Sequence, residues 1–297
     1  MNIKYAKGAY INDGSGTELV DFGLNNGRLI LGHAPRNVVL GVKKCAERGI
    51  GFGTLSRDEK TLERELLKKF AWLNDTRFFA CEEGVLLEAA AMACRARGRR
   101  HIVACCSQQT LAVLNGLKSA DITRVDREDS GALKEMCARH GEGLAGILME
   151  PLVSCNGLRL VSKEFILAAA EAARACGGLL IADERRSCFH SASGLFSLEL
   201  GARPDIVCLG GVLGGGFELG AVLSAGDEGA DEVTGSGEIS PVIFRAGLMT
   251  LRLLNEGLFQ ALDVRAQVLV NAVNAVCAQR QERMRIDRVH HLLGVHF

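Results

Sequence analysis

Three short segments hold most of the residues that could do chemistry: Glu150, the adjacent pair Asp183-Glu184, and the glycine run Gly210–Gly216. Carboxylates of this kind can move a proton or orient a bound group, and glycines let backbone approach a phosphate. Each has a plainer explanation. Strand-end carboxylates commonly bond neighbouring backbone. The run GGVLGGG is not followed by the GK[ST] of a phosphate loop, which favours close helix–sheet packing instead. Cys188, His190 and Asp183 could form a nucleophilic set only if the fold brings them together. His290-His291 suggests a metal pair, but neighbours on a strand face opposite ways, so no metal is assigned. The eleven cysteines are scattered without a CxxC pair and read as small buried hydrophobes of a reducing compartment.

The elements that must position these groups alternate. HIVACC (101–106) reads as a strand, 131–139 as a helix and AGILM (145–149) as a strand ending at Glu150-Pro151. KEFILAAAEAARAC (163–176) reads as a helix stopped by Gly177-Gly178. LLIA (179–182) then delivers Asp183-Glu184, and DIVCL (205–209) delivers the glycines. This order implies an α/β fold with a mostly parallel, doubly wound sheet, whose ligands bind beyond the carboxyl ends of the strands. The first 30 residues suit a small antiparallel hairpin. A helix from Pro241 to about Gly257, a second to about Arg283 and one terminal strand follow.

Thirty-five basic residues balance thirty-five acidic ones, which gives no electrostatic reason to expect nucleic acid or a membrane surface. No uncharged apolar run reaches about 18 residues, so no membrane span is expected. MNIKYAKGAY has neither an apolar leader core nor an Arg-rich amphipathic pattern, which points to the cytoplasm.

Read together, several segments resemble the class III aminotransferases, and most of all glutamate-1-semialdehyde aminomutase. They are AKGAYINDGSGTELVDF with ILGHAP, the stretch Asp75–Arg99, ILMEP, LLIADE, PDIVCLGGVLGGGFELGA and SPVIFRAGLMTL, in the family's order. The resemblance implies a fold type I pyridoxal phosphate (PLP) transferase fold with a small, incomplete N/C-terminal lobe. The division it suggests is residues 1–55 in the small lobe, 56–235 in the large α/β domain and 236–297 in a shortened C-terminal lobe.

The resemblance also assigns roles. Asp183 stands where the family pairs a carboxylate with the pyridine nitrogen of PLP, making the ring an electron sink. Where the family has its Schiff-base lysine, LGK has become Leu209-Gly210-Gly211, and no lysine occurs from 164 to 297. The family's phosphate loop is replaced by Cys81, Glu82 and Glu83, which read as first-turn acids of a helix beginning at Gly84. At about 5 Å each carboxylate would repel a phosphate charge by roughly 3 kcal/mol at an effective dielectric near 20. Ser236 aligns with a hydroxyl residue that reaches the phosphate across the dimer interface, and Gln109 with the aromatic residue over the ring.

These departures lead to the expectation of a pseudoenzyme: no catalytic residue, no cofactor, the PLP site lost, and a role as scaffold, regulator or partner. That partner would be a second copy or another aminotransferase-fold chain. The alternative is an enzyme of the aminomutase type with PLP-independent or residual activity in the old cleft, using Asp183, Glu184, Glu150 or a cysteine.

Overall fold

The computed structural model describes residues 2–154, 157–226 and 238–297. At the amino end β1 (Tyr5–Lys7), β2 (Tyr10–Asn12) and β3 (Glu18–Val20) form a three-stranded antiparallel sheet, one strand more than a hairpin. Two helices follow, α1 (Arg36–Ala46) and α2 (Arg57–Lys69). The second starts at a capping box, Ser56 accepting from the Glu59 amide and Glu59 accepting from the Ser56 amide.

The central layer is built from β4 (Asp75–Phe79), α3 (Glu82–Arg97), β5 (His101–Cys105), α4 (Gln108–Leu114), β6 (Asp121–Arg124), α5 (Ser130–His140) and β7 (Leu144–Met149). It continues through the short pair β8 (Leu152–Val153) and β9 (Arg159–Leu160), then α6 (Lys163–Ala175), β10 (Leu179–Glu184), α7 (Phe196–Glu199), β11 (Ile206–Leu209) and β12 (Gly220–Ser224). Seven strands make one sheet in the order β4-β12-β11-β10-β7-β5-β6. Pairing is parallel from β11 to β6, and β12 runs antiparallel to both of its neighbours.

Sequence and packing agree here because both faces of the sheet are covered. Every residue of β7 and β10 is buried, which is why these strands read as continuous apolar runs rather than alternating ones. On one face α3 lays Val85, Leu86, Ala89 and Ala93 against Ile102, Leu148, Ile181 and Ile206. Its alanines let the helix lie close to the sheet. The other face carries Phe165, Ile166 and Ala169 of α6 at one side and the cluster of Leu62, Leu66, Phe70 and Phe244 at the other. Each such buried aliphatic or aromatic side chain contributes on the order of 1.5–3 kcal/mol.

Beyond the sheet lie α8 (Pro241–Leu251), α9 (Glu256–Gln279), β13 (Arg285–Val289) and β14 (Leu292–His296). The helix expected to run to Gly257 instead breaks before Asn255, whose side chain accepts from the Leu258 amide and caps α9. The expected single terminal strand is a hairpin, and His290-His291 form its turn rather than lying along a strand. By length and composition alone α9 is long and apolar enough to cross a membrane, with Asp263 and Arg265 interrupting its apolar run. It packs against β13, and its Asp263 faces both turn histidines.

Candidate functional site

The carboxyl ends of β7, β10 and β11 bring Glu150, Asp183 and Gly211 to one edge of the sheet, where α3 and α4 begin. Asp183 is buried, and both of its oxygens are taken by one side chain. The Arg185 guanidinium donates from Nε to Oδ1 at 2.7 Å and from Nη2 to Oδ2 at 2.8 Å. A third donation runs from Arg185 Nη1 to the Glu82 carbonyl at 3.1 Å. Thr110 Oγ1 adds a longer contact to Asp183 at 3.4 Å. Burial pulls the Arg185 pKa down, but the Asp183 carboxylate more than offsets it, so the guanidinium stays charged.

Glu82 forms the second half of the arrangement. Helix α3 begins at Glu82 with Cys81 as its N-cap, two residues earlier than expected. The Glu82 carboxylate accepts from the Gly211 amide at 2.8 Å and pairs with Arg28 at 3.0 Å. Glu83 and Cys81 are exposed. The repulsion expected at this helix end is therefore reduced, because Arg28 neutralises one carboxylate and water screens the other.

Gly211 opens a short 3-10 turn, Gly211–Gly214, with φ +49. A Cβ built there would lie 2.9 Å from the Arg185 carbonyl oxygen, closer than real Cβ contacts come. The position is shaped for glycine twice over, by its left-handed backbone and by a carbonyl that leaves no room.

The remaining candidates fall into place around this centre. Gln109 sits exposed in the first turn of α4 and accepts from Arg186 Nη1 at 3.1 Å. Ser236 lies outside the described residues. Glu150 accepts from the Ser107 amide at 2.7 Å; burial first, and then Asp183, push its pKa up. Glu184 is fully buried and organises the following loop, accepting from Ser187 Oγ, the Phe196 amide at 3.2 Å and the Ser197 amide at 2.6 Å. Burial raises its pKa, with those donors opposing the rise. Its role is the structural one.

The nucleophilic set does not assemble. Cys188 Sγ donates to the Gly210 carbonyl at 3.2 Å, and burial raises its pKa well beyond the ordinary thiol range. His190 Nδ1 faces His291 Nε2 at 3.1 Å, with Asp183 committed to Arg185. Among the described residues no group of three metal-type ligands forms.

The residues that sequence reading missed are Arg185 and Arg28. The signal for Arg185 was available: two arginines directly follow the acidic pair at the end of a buried strand. Arg28 is more than 50 residues from its partner, and nothing in its local sequence marks it.

A mostly parallel sheet with its candidate groups beyond the carboxyl ends of the strands is the ligand-binding arrangement of doubly wound α/β folds, and the solved structures that match it place the chain in the pyridoxal-transferase fold. The solved structure "Transaminase with PLP bound" matches 99% of this chain and 76% of its own length with a TM-score of 0.89 at 23% identity. A lysine-to-alanine variant of glutamate-1-semialdehyde aminomutase from Pseudomonas aeruginosa, in complex with PMP, matches 99% of this chain and 72% of its own with a TM-score of 0.84 at 19% identity. The class III aminotransferase family model matches residues 91–236. A glutamate-1-semialdehyde 2,1-aminomutase of Thermus thermophilus is 31% identical over 98% of this chain and 75% of its own length. The chain belongs to the class III aminotransferase family.

The expectation of no cofactor and a lost PLP site is thereby corrected. Structures of this fold carry PLP, and a lysine-to-alanine variant of one is in complex with PMP, so the family likeness gives no ground for excluding a cofactor. The charge argument fails as well, since Arg28 balances Glu82. What the residues offer a pyridoxal-type group is a carboxylate at Asp183 and the N-terminus of α3. The first is covered by Arg185, so such a group would have to displace a guanidinium donation to reach it.

Proposed function

We propose that this chain is a class III aminotransferase-family protein that does not turn over substrate by lysine-dependent amino transfer, and that it serves as the non-catalytic partner of an aminotransferase-fold chain. The observation that carries this reading is the geometry of Gly211. The position that the family resemblance gives to the lysine has a glycine backbone, no room for a Cβ, and an amide bonded to Glu82. No lysine occurs from 164 to 297 to replace it locally. Lys69, whose pKa burial lowers, is spent on the Ala192 carbonyl at 3.3 Å.

The reading concerns turnover, not occupancy. A pyridoxal-type group supplies an electron sink when bound. Here this chain's own part is to hold or release Asp183 through Arg185. The alternative of acid–base chemistry by Glu150 and Asp183 is disfavoured because both are buried and bonded within the chain. A partner role is supported by large apolar side chains left in solvent, Phe22 and Ile50 near the amino end and Val264 and Val268 on α9.

The test is turnover with PLP, an amino donor and a keto-acid acceptor, followed by borohydride reduction and intact-mass measurement. No product and no cofactor covalently attached to the chain are expected. Sustained product formation sinks the reading. For the partner role, the native complex should contain a second aminotransferase-fold subunit, a copy or a homologue; a monomer at cellular concentration overturns that half.

A further inference from the structure

The opposite end of the sheet holds a cavity. Where β10 and β11 begin, an open cavity of about 340 Å³ is lined by Arg97, Arg174 and Arg203, with Asp205, Gly178 and Leu179. Leu179 and Asp183 lie four residues apart along β10, so roughly 13 Å of strand separates this cavity from the edge described above.

Arginines near helix C-termini usually answer the helix dipole, and Arg97 and Arg174 end α3 and α6. At the end of α6 that duty is already discharged by another residue, and α3 is closed by the backbone amides of Gly98 and Arg99. Arg99 Nη1 donates to the Cys176 carbonyl at 2.9 Å and to the Gly177 and Leu144 carbonyls at 3.0 Å. The other nearby arginines are also partnered: Arg95 bonds Glu88, and Arg100 bonds Asp121 and the Lys118 carbonyl. The side chains of Arg97, Arg174 and Arg203 have no hydrogen bond or ion pair with any described residue, and all three line the one cavity. The single acid in the lining, Asp205, turns one oxygen to the Leu180 amide at 2.8 Å. Three unpaired positive charges against one carboxylate leave a surplus that an anion would relieve. Guanidinium forks are weakly hydrated and match oxyanions in pairs of parallel hydrogen bonds.

We propose that this cavity binds a small phosphorylated anion, held by Arg97, Arg174 and Arg203, on a face separate from the Asp183 edge. Its size is at the low end for ligand pockets, which suits a phosphate or diphosphate group with a small substituent. The balanced charge of the whole chain gives a nucleic acid no comparable footing. The proposal is independent of the reading of Gly211.

Titration calorimetry of the full chain with inorganic phosphate and with diphosphate, at matched ionic strength in sodium chloride, tests it. Saturable binding is expected, tighter for diphosphate. Arg174→Gln and Arg203→Gln should each weaken it about tenfold, and the double variant about a hundredfold. These side chains are exposed, so the ligand-free melting temperature should not move. Absence of saturable binding, or full retention by the double variant, overturns the assignment; retention would place the anion elsewhere, as at the start of α3. An RNA oligonucleotide that displaces diphosphate at lower concentration overturns the ligand class.

Discussion

Putting a lysine at Gly211 is the most direct probe of the candidate site. Its backbone has φ +49, a region that costs an L-residue roughly 1–2 kcal/mol. The new Cβ would lie 2.9 Å from the Arg185 carbonyl, and relieving such a contact in a packed region costs about 1–3 kcal/mol. Any shift that relieves it also strains the 2.8 Å bond from the Gly211 amide to Glu82. Gly211→Ala should therefore lose about 2–5 kcal/mol in urea unfolding with an unchanged slope. Gly211→Lys should lose at least as much, and it should show no amino transfer with PLP and donor. The alanine variant separates the cost of the Cβ from anything the amine does. Two results refute this reasoning: an alanine variant within about 0.5 kcal/mol of wild type, or a lysine variant that turns over.

Asp183→Asn leaves the Arg185 charge buried without its partner. Both side chains are more than nine-tenths buried, so the loss should be about 3–5 kcal/mol, and a loss below about 1 kcal/mol contradicts the pairing. Arg185→Val frees the Asp183 oxygens; PMP affinity by equilibrium dialysis should rise at least tenfold over wild type, and an unchanged or weaker affinity denies the competition. His190 is buried with a pKa pushed down to about 3, and His291 to about 4, burial being the chief cause in both. The unfolded chain binds protons at these histidines from about pH 6.5 downward while the folded chain does not, so they make stability fall with acidification by about 1.4 kcal/mol per pH unit each until about pH 4. His190→Phe should flatten the fall between pH 6.5 and 5 by roughly 2 kcal/mol, and parallel curves for variant and wild type would refute it.

Strand ends were legible because the buried sheet writes itself as apolar runs closed by Glu150, Asp183-Glu184 and Gly210. Helix ends were legible where a glycine or a capping side chain marks them, as at Gly177 after α6. The break before Asn255 was hidden because LRLLNEG keeps helical apolar spacing up to the cap itself. Side-chain pairing across the site was legible only as a hint, in the two arginines that follow Asp183-Glu184. Arg28 reaches Glu82 and Arg185 folds back on Asp183, and neither pairing follows from periodicity or composition. The charge of Glu82 was read without its partner, and so its consequence for a bound phosphate was overstated.

These pairings also explain why no single change at this edge acts alone. Glu82 ties the backbone of Gly211 to Arg28 through its side chain, and offers its carbonyl to the guanidinium that holds Asp183. The carbonyl of Arg185 is the atom a Cβ at 211 would strike. Residues 28, 82, 183, 185 and 211 thus form one contact network, and effects within such networks are not additive. A Gly211→Lys change made in an Arg185→Val background meets the same carbonyl, since the clash is with backbone, but it enters a cleft whose carboxylate is free. The stability cost of the lysine should persist in the double variant while PMP affinity rises as in Arg185→Val alone. That split separates steric exclusion at 211 from competition at 183, and a double variant that recovers both stability and turnover would show them to be one effect.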